Sequence, residues 1–165
     1  MRTDLESWGA HEWSTATSGS VYHALRSMAR HGLLAAHETV ASSAGGPPRV
    51  EYELTEAGER EYLALLGRAL AAPDPAMDVL AAAVGLIEDL TRDEALRLLR
   101  ERAAAMTQWR ASVTEHLPEG TDLDTWGPVG EVLGLWLTTA DTGARWTGRL
   151  IRRLEDGAFT MAGET

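Results

Sequence analysis

Two hydrophobic periodicities run along the chain. From Val50 to Leu54 apolar and acidic side chains alternate, with Val50, Tyr52 and Leu54 set against Glu51 and Glu53. That two-residue repeat belongs to a strand with one covered face. Elsewhere apolar residues recur three and four apart, the spacing of a helix with one apolar face. Leu5 and Trp8 make a short helical fragment, and "STATSG" is a turn or cap cluster. Val21, Ala24, Leu25 and Met28 predict a helix from about Ser20 to His31, which Gly32 is suited to end. "LLAAHETV" and "VEYELT" read as the two arms of a hairpin, with "ASSAGGPP" as a long tip. Thr55 then caps a helix from Glu56 to about Leu70.

Two prolines in "AAPDPAM", Ala71 to Met77, mark a hinge. Beyond it every periodic segment is helical. Met77, Leu80, Val84 and Ile87 form a stripe ending at Leu90, and "TRDE", Thr91 to Glu94, reads as a capping box opening a long helix. That helix carries Leu96, Leu99, Ala103, Met106, Trp109, Val113 and Leu117 on one face. After "PEGTDLDTWGP" a last helix is predicted from about Val129 to Asp156, striped by Leu133, Trp136, Leu137, Ala140, Ala144, Thr147, Ile151 and Leu154. The stripe places Trp136 in the core. Long striped helices with few neighbours in their own chain call for a partner chain to cover them.

The order helix, hairpin, helix is that of a winged helix-turn-helix, in which one helix enters the DNA major groove and the hairpin lies along the backbone. The expected fold is therefore mostly α with a small β-hairpin. Residues 1–72 would form the winged helix-turn-helix, 76–156 a C-terminal helical dimerisation and effector region, and 157–165 a flexible tail.

Charge sharpens this. The 165 residues carry 25 acids and a formal charge of −10, yet no Asp or Glu occurs among the 25 residues from Trp13 to His37. The helix in that window presents Ser20, Tyr22, His23, Arg26, Ser27 and Arg30 opposite its apolar face. A carboxylate there would meet phosphate, whereas Arg can pair with guanine O6 and N7 and the other groups can hydrogen-bond phosphates or base edges. Ser18 is best read as a helix cap, and Arg49 follows the hairpin tip, placed to touch the backbone. The winged-helix half nevertheless holds more acidic residues than arginines, so affinity has to come from local placement. All 15 basic residues are Arg.

Other chemistry is weakly represented. With no cysteine, disulfides and thiolate metal sites are excluded, which suits a cytoplasmic protein. No apolar run approaches the ~20 residues of a membrane span. His11, His23, His31 and His37 lack the spacing of metal ligands. Asp141-Thr142-Gly143 spells an aspartic-protease tripeptide but falls inside a predicted helix. Ser18 or Ser20 with His23 has no oxyanion-hole motif beside it, and there is no glycine-rich phosphate loop. No catalytic residue, metal or cofactor is expected. Trp109, Trp126 and Trp146 in the helical half are candidates for a pocket taking a small apolar or aromatic effector.

"SGSVYHALRSMARHGLL … GGPPRVEYELTEAGE" resembles the core of the PadR family of bacterial transcription regulators, over about residues 14 to 66. The matching elements are Ser18, Gly19, Tyr22, Leu25, Gly32 and Leu33, then Tyr52, Leu54, Thr55 and Gly58. The resemblance implies a homodimer joined by C-terminal helices that binds double-stranded promoter DNA, represses, and responds to small molecules. "TGARWTGRLIRRLED", Thr142 to Asp156, is similar to the Trp-bearing dimerisation helix of such proteins. Family members place two helices before the recognition helix. This chain has about twelve residues there, of which "RTDLESW" reads as the end of the second helix. The first is expected to be missing, leaving Val21, Leu25 and Leu63 without a lid. Either Met1 lies downstream of the true start or another element fills the gap. The alternative reading is a helical dimer that binds a protein or small ligand, its winged half no longer binding DNA.

Overall fold

The computed structural model describes residues 18–39, 49–73, 76–115 and 117–164. The expected Leu5–Trp8 fragment, the rest of the segment before Ser18 and the hairpin tip lie outside them. The chain forms two compact units, residues 1–65 and 66–165. The described residues are mostly helical, with one two-stranded antiparallel sheet.

In the first unit α1 (Ser18–Arg30) is followed by β1 (Leu34–Thr39), β2 (Arg49–Leu54) and the start of α2 (Glu56–Ala71). Gly32, at φ +73°, ends α1 in a Schellman turn: its N–H donates to Ala29 O at 3.1 Å and that of Leu33 to Met28 O at 2.9 Å. The strands pair Leu34 with Leu54, Ala36 with Tyr52 and His37 with Glu51. Thr55 joins the hairpin's exit to the end of α1. Its N–H donates to Leu33 O at 3.2 Å and its hydroxyl to Gly32 O at 2.7 Å, while Oγ1 accepts the Gly58 N–H at 3.0 Å. A Cβ at Gly58 would sit 2.0 Å from Leu33 O, so only glycine permits this approach. Gly58 is also the one buried residue among the described residues of this unit; Val21, Leu25 and Met28 are half-buried, and Leu54, Leu63 and Leu65 are exposed.

The second unit holds the core. The last turns of α2 contribute Leu66 and Leu70. They are joined by α3 (Met77–Gly85), a 3-10 turn (Ile87–Asp89), α4 (Arg92–Thr114), a second 3-10 turn (Leu123–Trp126) and α5 (Gly127–Glu155). Leu70, Leu99, Leu154 and Thr147 are almost fully enclosed. Thr91 caps α4 by accepting the Glu94 N–H at 3.4 Å. Only half of the expected capping box forms, because the Glu94 carboxylate turns to Arg97, at 2.7 Å. That guanidinium holds the Glu94 carboxyl below its ordinary pKa.

α4 and α5 run antiparallel, tied by Arg100–Glu155 and Arg110–Asp141, each at 2.7 Å. This register puts Thr114, the last residue of α4, level with about Leu137, so about three turns of α5 project beyond it. Trp136 lies in that overhang and is 45% exposed, contrary to its expected place in the core. Helical periodicity defines an apolar arc, but here the neighbouring helix ends before it can cover the arc.

The expected flexible tail also proves otherwise, because residues 157–164 fold back on α4. Arg92 donates to Leu154 O, to Phe159 O at 2.8 Å and to the Glu164 carboxylate at 2.6 Å. Ala162 N–H reaches Leu90 O at 3.0 Å, and Met161 is buried. Among the described residues no helix is long and apolar enough to cross a membrane.

Candidate nucleic-acid interface

α1 has no acid in its first turn and Arg30 in its last. Its half-buried side carries Val21, Leu25 and Met28, which leaves Tyr22, His23, Arg26 and Arg30 exposed. These four line a groove of about 740 Å³ together with Ala29 and the hairpin residues Ala36, Val50 and Tyr52. Strand alternation turns two carboxylates away from the lining: Glu51 and Glu53 fall on the opposite face from Val50 and Tyr52. On that outer face His37 Nε2 lies 3.6 Å from the Glu53 carboxylate. By register Glu38, opposite Val50, is on the groove face; its side chain is outside the described residues.

Within the groove the Arg26 guanidinium carbon stands 4.7 Å from the centre of the Tyr22 ring. This stack on one helical turn orients the arginine without neutralising it. Neither Arg26 nor Arg30 has an ion pair among the described residues. The remaining expected contacts are placed less directly. Ser20 is exposed but does not line the groove, and Ser27 is half-buried, its carbonyl accepting from His31 Nδ1 at 2.7 Å. Ser18 opens α1 and Arg49 opens β2 opposite Thr39; their side chains are outside the described residues. The sequence reading missed the hairpin's share of the groove, although the alternation of Val50 and Tyr52 with two glutamates carried the signal.

The tryptophans do not assemble into one site within the chain. Trp126 precedes α5 and Trp146 lies 20 positions later, about 30 Å along the helix axis. Trp146 lines a mostly apolar cavity of about 480 Å³ with Pro73, Met77, Leu80, Met106 and Thr142, whereas Trp109 and Trp126 do not. Among the described residues no group of three His, Asp or Glu is placed to hold a metal ion.

The model of the transcriptional regulator PadR-like family matches residues 3–64. Among solved structures, the crystal structure of Bacillus subtilis PadR in complex with operator DNA is similar at 18% identity, covering 88% of this chain and 84% of that chain with a TM-score of 0.39. No curated protein matches. The matched segment contains α1, both strands and the Thr55–Gly58 junction, and over residues 3–64 the chain is similar to the PadR-like family of transcriptional regulators.

Proposed function

We propose that the protein is a dimeric, DNA-binding transcriptional regulator, a repressor relieved by a small apolar or aromatic effector. The observation that carries this reading is the acid-free exposed face of α1, with two arginines that have no ion pair among the described residues, in a groove shared with the hairpin. Tyr22, His23, Arg26 and Arg30 contact DNA, Ser18 and Ser20 meet phosphates beside them, and Arg49 steadies the hairpin. Ser27 is the weakest member of the set. The dimer forms on the α5 overhang, where Val129, Val132, Leu135 and Trp136 expose an apolar strip. Two copies of α1 then enter successive major grooves about 34 Å apart, which calls for a roughly palindromic operator. The effector occupies the Trp146 cavity.

The test is fluorescence anisotropy with the intergenic duplex beside the protein's own gene against a scrambled duplex, across a salt series. Tight binding to the native duplex alone, weakening steeply with salt, is expected. A second reading, a helical dimer whose winged half no longer binds DNA, is favoured by the exposure of Leu54, Leu63 and Leu65 and by the acid excess of residues 1–65. Equal, weak binding to both duplexes would select it.

A further inference from the structure

We infer that Tyr22 and Arg26 act as one reading unit, Tyr22 being a positioning residue that sets Arg26 to select a guanine in each operator half-site. This rests on the DNA-binding reading above and goes beyond it by naming the base and the residue pair that chooses it. The guanidinium lies 4.7 Å from the Tyr22 ring centre. A guanidinium held over a ring keeps its edge N–H groups available, and those are the donors that match guanine O6 and N7. Holding the long side chain in advance also spares rotamer freedom otherwise lost on binding. α1 offers no carboxylate to divert it, since Ser18–Arg30 contains none.

The two arginines are not equivalent. Arg26 occupies the middle of α1, while Arg30 is its last residue. Recognition helices contact bases mainly from their N-terminal part, so Arg30 falls to the phosphates. Tyr22, Arg26 and Arg30 follow at four-residue spacing, one stripe along the helix. His23 and the hairpin's Val50 and Tyr52 complete the groove without supplying another two-pronged donor.

The experiment selects the preferred duplex from a randomised library with the full chain. Anisotropy then compares that duplex with versions carrying each other base, or 7-deazaguanine, at every selected guanine. One guanine is expected whose replacement weakens the wild type about 5- to 150-fold, the range of one good two-pronged contact. Arg26→Ala and Arg26→Lys should both abolish that discrimination, the lysine keeping charge but losing the fork. Tyr22→Leu should lose most of it, Tyr22→Phe should keep it, and Tyr22→Leu with Arg26→Ala should lose no more than Arg26→Ala alone. Arg30→Ala should instead weaken all duplexes alike and reduce the salt slope by about two, about one for each protomer. A wild type that selects a duplex while Tyr22→Leu keeps full guanine preference overturns the inference and leaves the DNA-binding reading standing. A wild type that selects no duplex overturns both. Tyr22 is 46% exposed, so these substitutions test recognition without emptying a core.

Discussion

The two units hold their shape by different means. In residues 66–165 leucines from α2, α4 and α5 close around Leu70, Leu99 and Leu154, and stability comes from apolar area taken out of water. In the described part of residues 1–65 only Gly58 is buried, and geometry is fixed by a few backbone positions: the Schellman turn at Gly32, the Thr55 hydroxyl and the close approach of Gly58 to Leu33 O. A core tolerates small errors at many places. A junction of this kind tolerates none at two or three, and it is this junction that orients α1 against the hairpin.

The contrast can be broken from either side. Leu99→Ala should have the largest effect, lowering stability by about 2–5 kcal/mol through the lost side chain and the cavity left behind, read by denaturant melting. Gly58→Ala should cost about 1–3 kcal/mol by overpacking against the Leu33 carbonyl. Its signature is faster hydrogen exchange at the Leu33 and Thr55 amides, with the Leu99 region unchanged. Thr55→Val keeps the shape but removes the cap on α2 and should cost about 1 kcal/mol. The smallest change is acidification. The Arg92 guanidinium, then the Met161 N–H, hold the Glu164 carboxyl below its ordinary pKa, so the folded state binds that proton less readily than the unfolded chain. The tail's contribution is complete above the usual carboxylate range and is lost as pH falls through the lowered pKa. Exchange at the Ala162 amide should rise with it, while exchange in the Leu99 core should not.

Features written in neighbouring residues were legible in the sequence. Gly32 ends α1, Thr55 opens α2, Thr91 caps α4, and the Val50–Leu54 alternation forms a strand. The aligned chemistry of Tyr22, His23, Arg26 and Arg30 was legible too, because helical spacing alone puts those side chains on one side. What escaped depends on distant partners. Nothing near Arg92 points to Glu164, 72 residues away, so a held tail reads as a loose one. Trp136 matches the α5 stripe, but its exposure follows from where α4 stops. Trp126 stands just before α5 and Trp146 well along it, and the rise of that helix separates them.

The 2.0 Å clearance at Gly58 has a consequence for reading variation in this chain. Scored by DNA binding, as proposed above, every replacement at position 58 would look as damaging as the loss of Arg26, although the glycine has no side chain with which to touch DNA. A map of intolerant positions would thus merge two kinds of site, those proposed to meet DNA and those that let one carbonyl pass close to a helix. A second scan scored on protein abundance separates them. Position 58 should drop out in both scans and Arg26 only in the first.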